Sequence, residues 1–258
     1  MLYFVPRATI VMTLAIGILL ATACSSSGPS AKSSLNKPAA EQGKKAANGP
    51  LPSGIISNLH KGIDVSHFSG AVDWPALGTA GFSFGVIKAT EGDDLKDPSF
   101  DEFWSGIKKA GLVRGAYHFY VTEDDPLEQA KFFIQTVDLE PGDLVPIVDI
   151  ETLGHDTQPE LARRLKIWLD AVEQHFGVKP IIYTDWKFWN EHLTDDFGDY
   201  PLWVAEYEVE EPKLPEGWKD WHLWQWKGNA TVPGVEKDAD LSRVNPSGVD
   251  LSVLIFGL

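Results

Sequence analysis

The sequence predicts an α/β protein: a modified β/α barrel, TIM-barrel-like, with an incomplete helical coat. Three observations carry this. Short apolar runs alternate with amphipathic stretches over about 200 residues, and strands alternating with helices imply a mainly parallel sheet with crossovers. Seven or eight of the runs are continuously apolar, as strands buried on both faces are, and that many in that length favour a closed barrel over an open sheet. Helical pattern then thins out after residue 192, which leaves part of the barrel without a coat.

The strand runs, in order, are GIDVS (62–66), FGVIKA (84–89), VRGAYHFY (113–120), LVPIVDIE (144–151), PIIYT (180–184), LWVAEY (202–207) and WHLWQW (221–226). Two helices between them have explicit signals. Asp125 is an N-cap with Pro126 at the first helical position and Glu128 at the third, and the helix it opens buries Ala130, Phe133 and Val137. Over 158–176, Leu161, Leu165, Trp168, Leu169, Val172 and Phe176 recur at helical spacing. Thr157 and Glu160 form a capping box there, and Gly177 ends the helix.

The chain divides at residues 23 and 60. Arg7 followed by the apolar stretch IVMTLAIGILLATA is an export signal over residues 1–23. ATAC followed by SSSG resembles a bacterial lipoprotein box, which implies cleavage before Cys24 and a lipid anchor on it; a plain signal peptide cut near Ala23 is the other reading. Residues 24–60, rich in Ser, Gly, Pro, Ala, Lys and Asn, bury too little apolar surface to offset their ordering entropy and read as a flexible tether. The rest, 61–258, is one domain. Either reading of the leader exports the protein to the cell envelope, and a lipid-anchored form in a two-membrane bacterium is expected at the outer membrane. Cys24 is the one cysteine, so no disulfide within the chain contributes to stability.

The formal net charge is −15, and residues 1–60 carry five cations against one acid, which leaves −19 on the domain. A surface that acidic argues against nucleic acid and against anionic lipid as partners of the domain itself. Ten tryptophans, crowded mostly after Asp185, suggest stacking surfaces as well as core.

Reactive groups of such barrels sit at the C-terminal ends of the strands. Those ends carry Asp64, Glu91, Tyr117, His118, Asp149, Glu151, Tyr183, Glu206 and Gln225. Asp149 and Glu151, two apart at the end of an apolar run, point to one face of an extended chain. Two neighbouring carboxylates partly out of water cannot both ionise cheaply, so one stays protonated near neutral pH, as a general acid must. An acidic strand end running into a solvated loop fits the same residues. Acids and aromatics converging on one mouth suit a sugar, whose ring faces stack on Trp and Tyr while carboxylates address the hydroxyls and the glycosidic oxygen.

GIDVSHFSGAVDW, GVIKATEG, GAYHFY, VPIVDIE, IIYTDWKFW, LWVAEY, WQW and the late DADLSRVN, in that order from Gly62 to Asn245, resemble the motif series of family 25 glycoside hydrolases, the N-acetylmuramidases. The resemblance implies cleavage of the β-1,4 bond from N-acetylmuramic acid to N-acetylglucosamine in peptidoglycan, by a monomer without metal or cofactor. It makes Glu151 the general acid with Asp149 beside it; the resemblance leaves the stereochemical outcome open, and the position of Asp149 next to the acid motivates the expectation that it acts through the substrate's own acetamido group in a retaining reaction. The resemblance places Asp64 and Asp240 among the active-site carboxylates, and Tyr117, Tyr183, Trp224 and Gln225 along the substrate. Asp64 in a turn, Asp240 in a surface ion network with Asp238, Arg243 and Lys237, and His118 as a hydrogen-bonded structural residue are the plainer readings. Two other functions remain compatible with these motifs: a non-catalytic wall-binding module on the same barrel, and a glycosidase for a chitin-like polymer.

Overall fold

The computed structural model describes residues 54–193 and 197–258; the segment expected to be an export signal, Cys24 and most of the segment expected to be a tether lie outside these residues. The elements run α1 (Ile55–Asn58), β1 (Lys61–Val65), α2 (Trp74–Thr79), β2 (Phe84–Glu91), β3 (Leu95–Lys96), α3 (Phe100–Lys109), β4 (Val113–Phe119), α4 (Pro126–Thr136), β5 (Ile147–Asp149), α5 (Gln158–Phe176), β6 (Ile181–Asp185), α6 (Trp186–His192), β7 (Leu202–Ala205), β8 (Leu223–Thr231) and β9 (Asp238–Val244). Eight of the strands close a ring in the order β1-β2-β4-β5-β6-β7-β8-β9, with β9 back against β1, and β3 hooks onto the outer end of β2. Neighbours from β1 to β8 are parallel, whereas β9 runs antiparallel to both β8 and β1. Among the described residues no helix lies between β7 and β8 or between β8 and β9, so the coat is incomplete on that flank.

The helix signals act where the sequence places them. Asp125 accepts the backbone N–H of Leu127 at 2.9 Å and of Glu128 at 3.1 Å. Both halves of the Thr157/Glu160 capping box form, and Gly177 ends α5 in the left-handed region at φ 74°, open to glycine at no steric cost. Residues 54–60, at the end of the segment read as tether, form α1 and bury Leu59 against the barrel's base.

Strand alternation sorts the side chains into two cores. Inward positions fill the barrel with Phe84, Val86, Leu144, Ile147, Ile181 and Leu223. Outward positions, among them Ile87, Ala116, Val148, Ile182 and Val204, pack against the helices. α5 buries Leu161, Leu165, Trp168, Leu169 and Val172 there, each contributing roughly 1.5–3 kcal/mol if fully removed from water. The interior is tight enough to dictate Gly62: a Cβ at that position would stand 2.0 Å from the Phe84 ring.

Candidate active site

The same alternation that fills the barrel below carries polar residues into its mouth above. Two residues on from each inward apolar position, β2 presents Lys88 after Val86, β5 presents Asp149 after Ile147, β6 presents Tyr183 after Ile181 and β8 presents Gln225 after Leu223. Asp64 comes from β1 and Asp240 from β9, directly opposite one another in the register of the two strands. Together with Tyr117, Glu151 and Trp203 they line one open cavity of about 290 Å³.

Asp64, Asp149, Glu151 and Asp240 thus share one groove, and so do Tyr117, Tyr183 and Gln225. Gln225 organises one side of it. Its amide oxygen accepts the Tyr183 hydroxyl at 2.9 Å and the Tyr207 hydroxyl, while its nitrogen donates to Asp64 at 2.7 Å. Trp203 donates its indole N–H to Ser242 at 3.1 Å, and the Ser242 hydroxyl reaches Asp64 at 3.4 Å. Asp64 therefore faces the groove and its neighbours, not a turn. Asp240 accepts the backbone N–H of Asn229 at 2.7 Å, and among the described residues it forms no ion pair with Lys237 or Arg243.

All four carboxyls hold their protons above the usual range. Burial comes first for each. For Asp64 the charge of Asp240 follows, and for Asp149 the charge of Glu151. Asp240 is raised by burial and Asp238 against the N–H of Asn229. Glu151 is pushed up to about 7, by burial of its carboxyl and then by Asp185 and Asp240, with Lys88 pulling the other way. As a residue Glu151 is exposed; its carboxyl is crowded by protein yet open along the groove, where a ligand would reach it. Asp149 is 8 % exposed, and its Oδ1 is buried without a partner. Burial and the neighbouring acids raise the Tyr117 and Tyr183 phenols as well, so both remain neutral donors.

Trp224 does not join the groove. It is the outward neighbour of Gln225 on β8, and adjacent residues of a strand face opposite ways, so the two cannot both point into the barrel. Its ring is 1 % exposed, donates to the Glu206 carbonyl at 2.8 Å and lies under the Arg243 guanidinium at 4.1 Å. Glu206 turns its carboxylate to the backbone N–H of Lys213 at 2.7 Å. His118 also faces outward. It bonds Thr90 at 2.8 Å and Gln129 at 3.1 Å, stacks on Trp168, and burial lowers its pKa to about 3. It is a structural histidine.

Sequence reasoning missed Lys88, Trp203, Tyr207 and Phe68, all of which line the groove. The parity of the strands was the available signal for two of them: Lys88 is two beyond Val86, and Trp203 is two before Ala205. Lys88 is nearly buried, pairs with Glu91 at 2.5 Å and lies over the Phe119 ring, which makes it the cation within an otherwise acidic mouth. Among the described residues no group of three or more His, Cys, Asp or Glu is placed to hold a metal ion.

The chain has relatives of known family and fold. The sequence model of Glycosyl hydrolases family 25 matches residues 63–235. The chain is 40% identical over 128 residues to YegX of Escherichia coli K12, covering 48% of this chain and 47% of that protein, so it spans about half the length of the curated relatives it matches. In structure it is similar to the bacterial lysozyme from Streptomyces coelicolor, with a TM-score of 0.68 and 29% identity over 75% of this chain and 95% of that one. A muramidase from Trichobolus zukalii gives a TM-score of 0.69 and 27% identity over 77% and 99% of the two chains.

Proposed function

The chain belongs to glycosyl hydrolases family 25, and from that premise we propose that it is a peptidoglycan hydrolase, an N-acetylmuramidase cleaving the β-1,4 bond between N-acetylmuramic acid and N-acetylglucosamine. The observation that carries the reading is the convergence of four carboxyls from different strands on one groove, with Glu151 still able to hold a proton near neutral pH. The similarity to a bacterial lysozyme and a muramidase supports the choice of substrate.

In the proposed reaction Glu151 gives its proton to the glycosidic oxygen as the bond to the anomeric carbon breaks. The acetamido oxygen of the same sugar attacks that carbon, one of the substrate-assisted exceptions to the two-carboxylate scheme. Asp149 stabilises the positive charge that appears on the acetamido nitrogen. Water then opens the ring so formed and returns a proton to Glu151, which leaves the anomeric configuration retained. Asp64, braced by Gln225 and Ser242, and Asp240 set the field of the groove, and Tyr117 and Tyr183 line the sugar's path. Identifying the reducing-end sugar tests the assignment. Wild-type protein is expected to release N-acetylmuramic acid ends from purified peptidoglycan; release of N-acetylglucosamine ends, or of none, overturns it.

The export signal and the ATAC-SSSG box support a protein anchored to a membrane of the envelope through a lipidated Cys24, with the tether supplying local concentration at the wall. Several acyl groups hold firmly where one holds weakly. Wild-type protein is therefore expected to stay with washed membranes, and Cys24→Ala to be released or left unprocessed. Recovery of unlipidated wild-type protein, beginning at Ser25 or elsewhere, would contradict this.

A further inference from the structure

Phe68 is the most exposed large apolar side chain among the described residues, 70% open. It also stands in the groove. Beside the carboxylate cavity lies a second lobe of about 330 Å³, and Phe68 lines both, at a junction they share with Asp64, Ser66, Tyr117 and Asp240.

The turn that carries it is fixed from two sides. His67–Ser69 is a single 3₁₀ turn, capped by the Ser66 side chain, which accepts the Phe68 N–H at 3.3 Å. On one side Asp97, 1% exposed, accepts both the ring Nδ1–H of His67 at 2.6 Å and its backbone N–H at 3.2 Å. The His67 ring in turn contacts Phe68, centroids 3.9 Å apart and planes tilted by 39°. On the other side the segment between β8 and β9 holds the loop: Lys237 donates its backbone N–H to the Ser69 carbonyl at 3.0 Å and Glu236 to that of Ala71 at 2.9 Å, while the Glu236 carboxylate accepts the Ala71 N–H.

An exposed apolar ring on a turn fixed from two sides, in the wall of a groove, is prepared for a ligand with an apolar face. Apart from Val65 and Ala239 the rest of the second lobe is polar, with Ser69, Asn229, Lys237 and Asp238 around it. A ligand flat and apolar on one face and rich in polar groups at its edge fits both facts, which is the description of a pyranose. Resting on the muramidase reading, we propose that Phe68 is the stacking platform for a sugar ring next to the scissile bond, and that His67, anchored by Asp97, is its positioning residue. Because the turn that carries the ring is already ordered, stacking costs less conformational entropy than it would on a free loop.

Phe68→Ala, Phe68→Trp, His67→Ala and His67→Asn, assayed on soluble peptidoglycan glycan chains, test this. Phe68→Ala is expected to raise KM about tenfold, the size of one large side chain's burial, with kcat changed less than twofold, since the contact is made equally in the ground and transition states. Phe68→Trp should keep KM near wild type. His67→Ala should raise KM several-fold and lower the melting temperature, because buried Asp97 loses a partner, and His67→Asn, which keeps a donor for Asp97 but no ring beneath Phe68, should show the same rise in KM with less loss of stability. A wild-type KM in Phe68→Ala overturns the platform, and a wild-type KM in His67→Ala overturns the positioning role. Sedimentation of each variant with insoluble peptidoglycan in a Glu151→Gln background reads binding without turnover. Failure of wild-type protein to cleave therefore counts against the enzymatic reading alone.

Discussion

Glu151→Gln is expected to leave the barrel folded and to lower the rate of glycan cleavage by about 10²- to 10⁴-fold, the usual share of general acid catalysis. The residue follows β5, outside the ladder, and its side chain opens to the groove, so the fold does not depend on it. Glutamine keeps the shape and gives up the transferable proton. In the wild type the group must be protonated to act, so the rate is expected to fall as pH rises through about 7, where burial, Asp185 and Asp240 place its pKa. Circular dichroism together with release of reducing ends across pH 4–9 decides the matter. Near wild-type turnover in the folded variant would remove Glu151 from the acid's role.

Asp149→Asn is expected to lower kcat by about 10²- to 10³-fold, the range seen when one preorganised charge-stabilising group is lost, with KM nearly unchanged. The charge it answers develops mainly in the transition state. The buried Oδ1 of Asp149, without a hydrogen-bond partner, is suited to an acetamido N–H. Asp149 and Glu151 titrate as a pair, Asp149 being raised by burial and then by Glu151. Removing one negative charge lets the remaining acid ionise more easily. The basic limb of the variant's pH profile should therefore move toward acid, the direction opposite to the shift expected from removing Lys88, whose cation lowers both carboxyls. Product stereochemistry completes the test: release of the α-anomer from the β-linked glycan would mean inversion by direct water attack and an end to the assisted mechanism.

What was legible in the sequence was local. Asp125 with Pro126, and Thr157 with Glu160, bring the chemistry of a helix start together within four residues, so α4 and α5 were readable from their own segments. The carboxylates Asp64, Asp149 and Glu151 are legible because strand ends are where a barrel exposes reactive groups, whereas Asp240 comes only from the family resemblance of DADLSRVN. β9 was read only as a motif. Its inward positions, Asp240 and Ser242, are polar because they face the groove, and Asp238 is exposed; function erased the apolar run that would have marked a strand. Trp224 differs for a neighbouring reason, since the motif resemblance puts both Trp224 and Gln225 along the substrate while the parity of β8 sends Trp224 outward and Gln225 inward. Phe68 carries no periodic signal at all. Its place in the groove comes from Asp97 and from the segment between β8 and β9, contacts that only the folded chain makes.

The antiparallel β9 also sets the order in which the molecule can be completed. β1 finds β2 soon after it is made, but its other edge waits for a strand far down the chain: Ser242 and Asp64, which meet across that seam, are 178 residues apart in sequence. Contacts so distant are slow to form because the loop between them must be closed first. Until then β1 and β8 present unpaired edges, the kind of surface on which incomplete chains associate. The groove is unfinished over the same interval, since Asp240 arrives with the closing strand and faces Asp64 across it. Closure of the ring and assembly of the carboxylate cluster are one event, so a nascent or partly unfolded chain lacks the complete site.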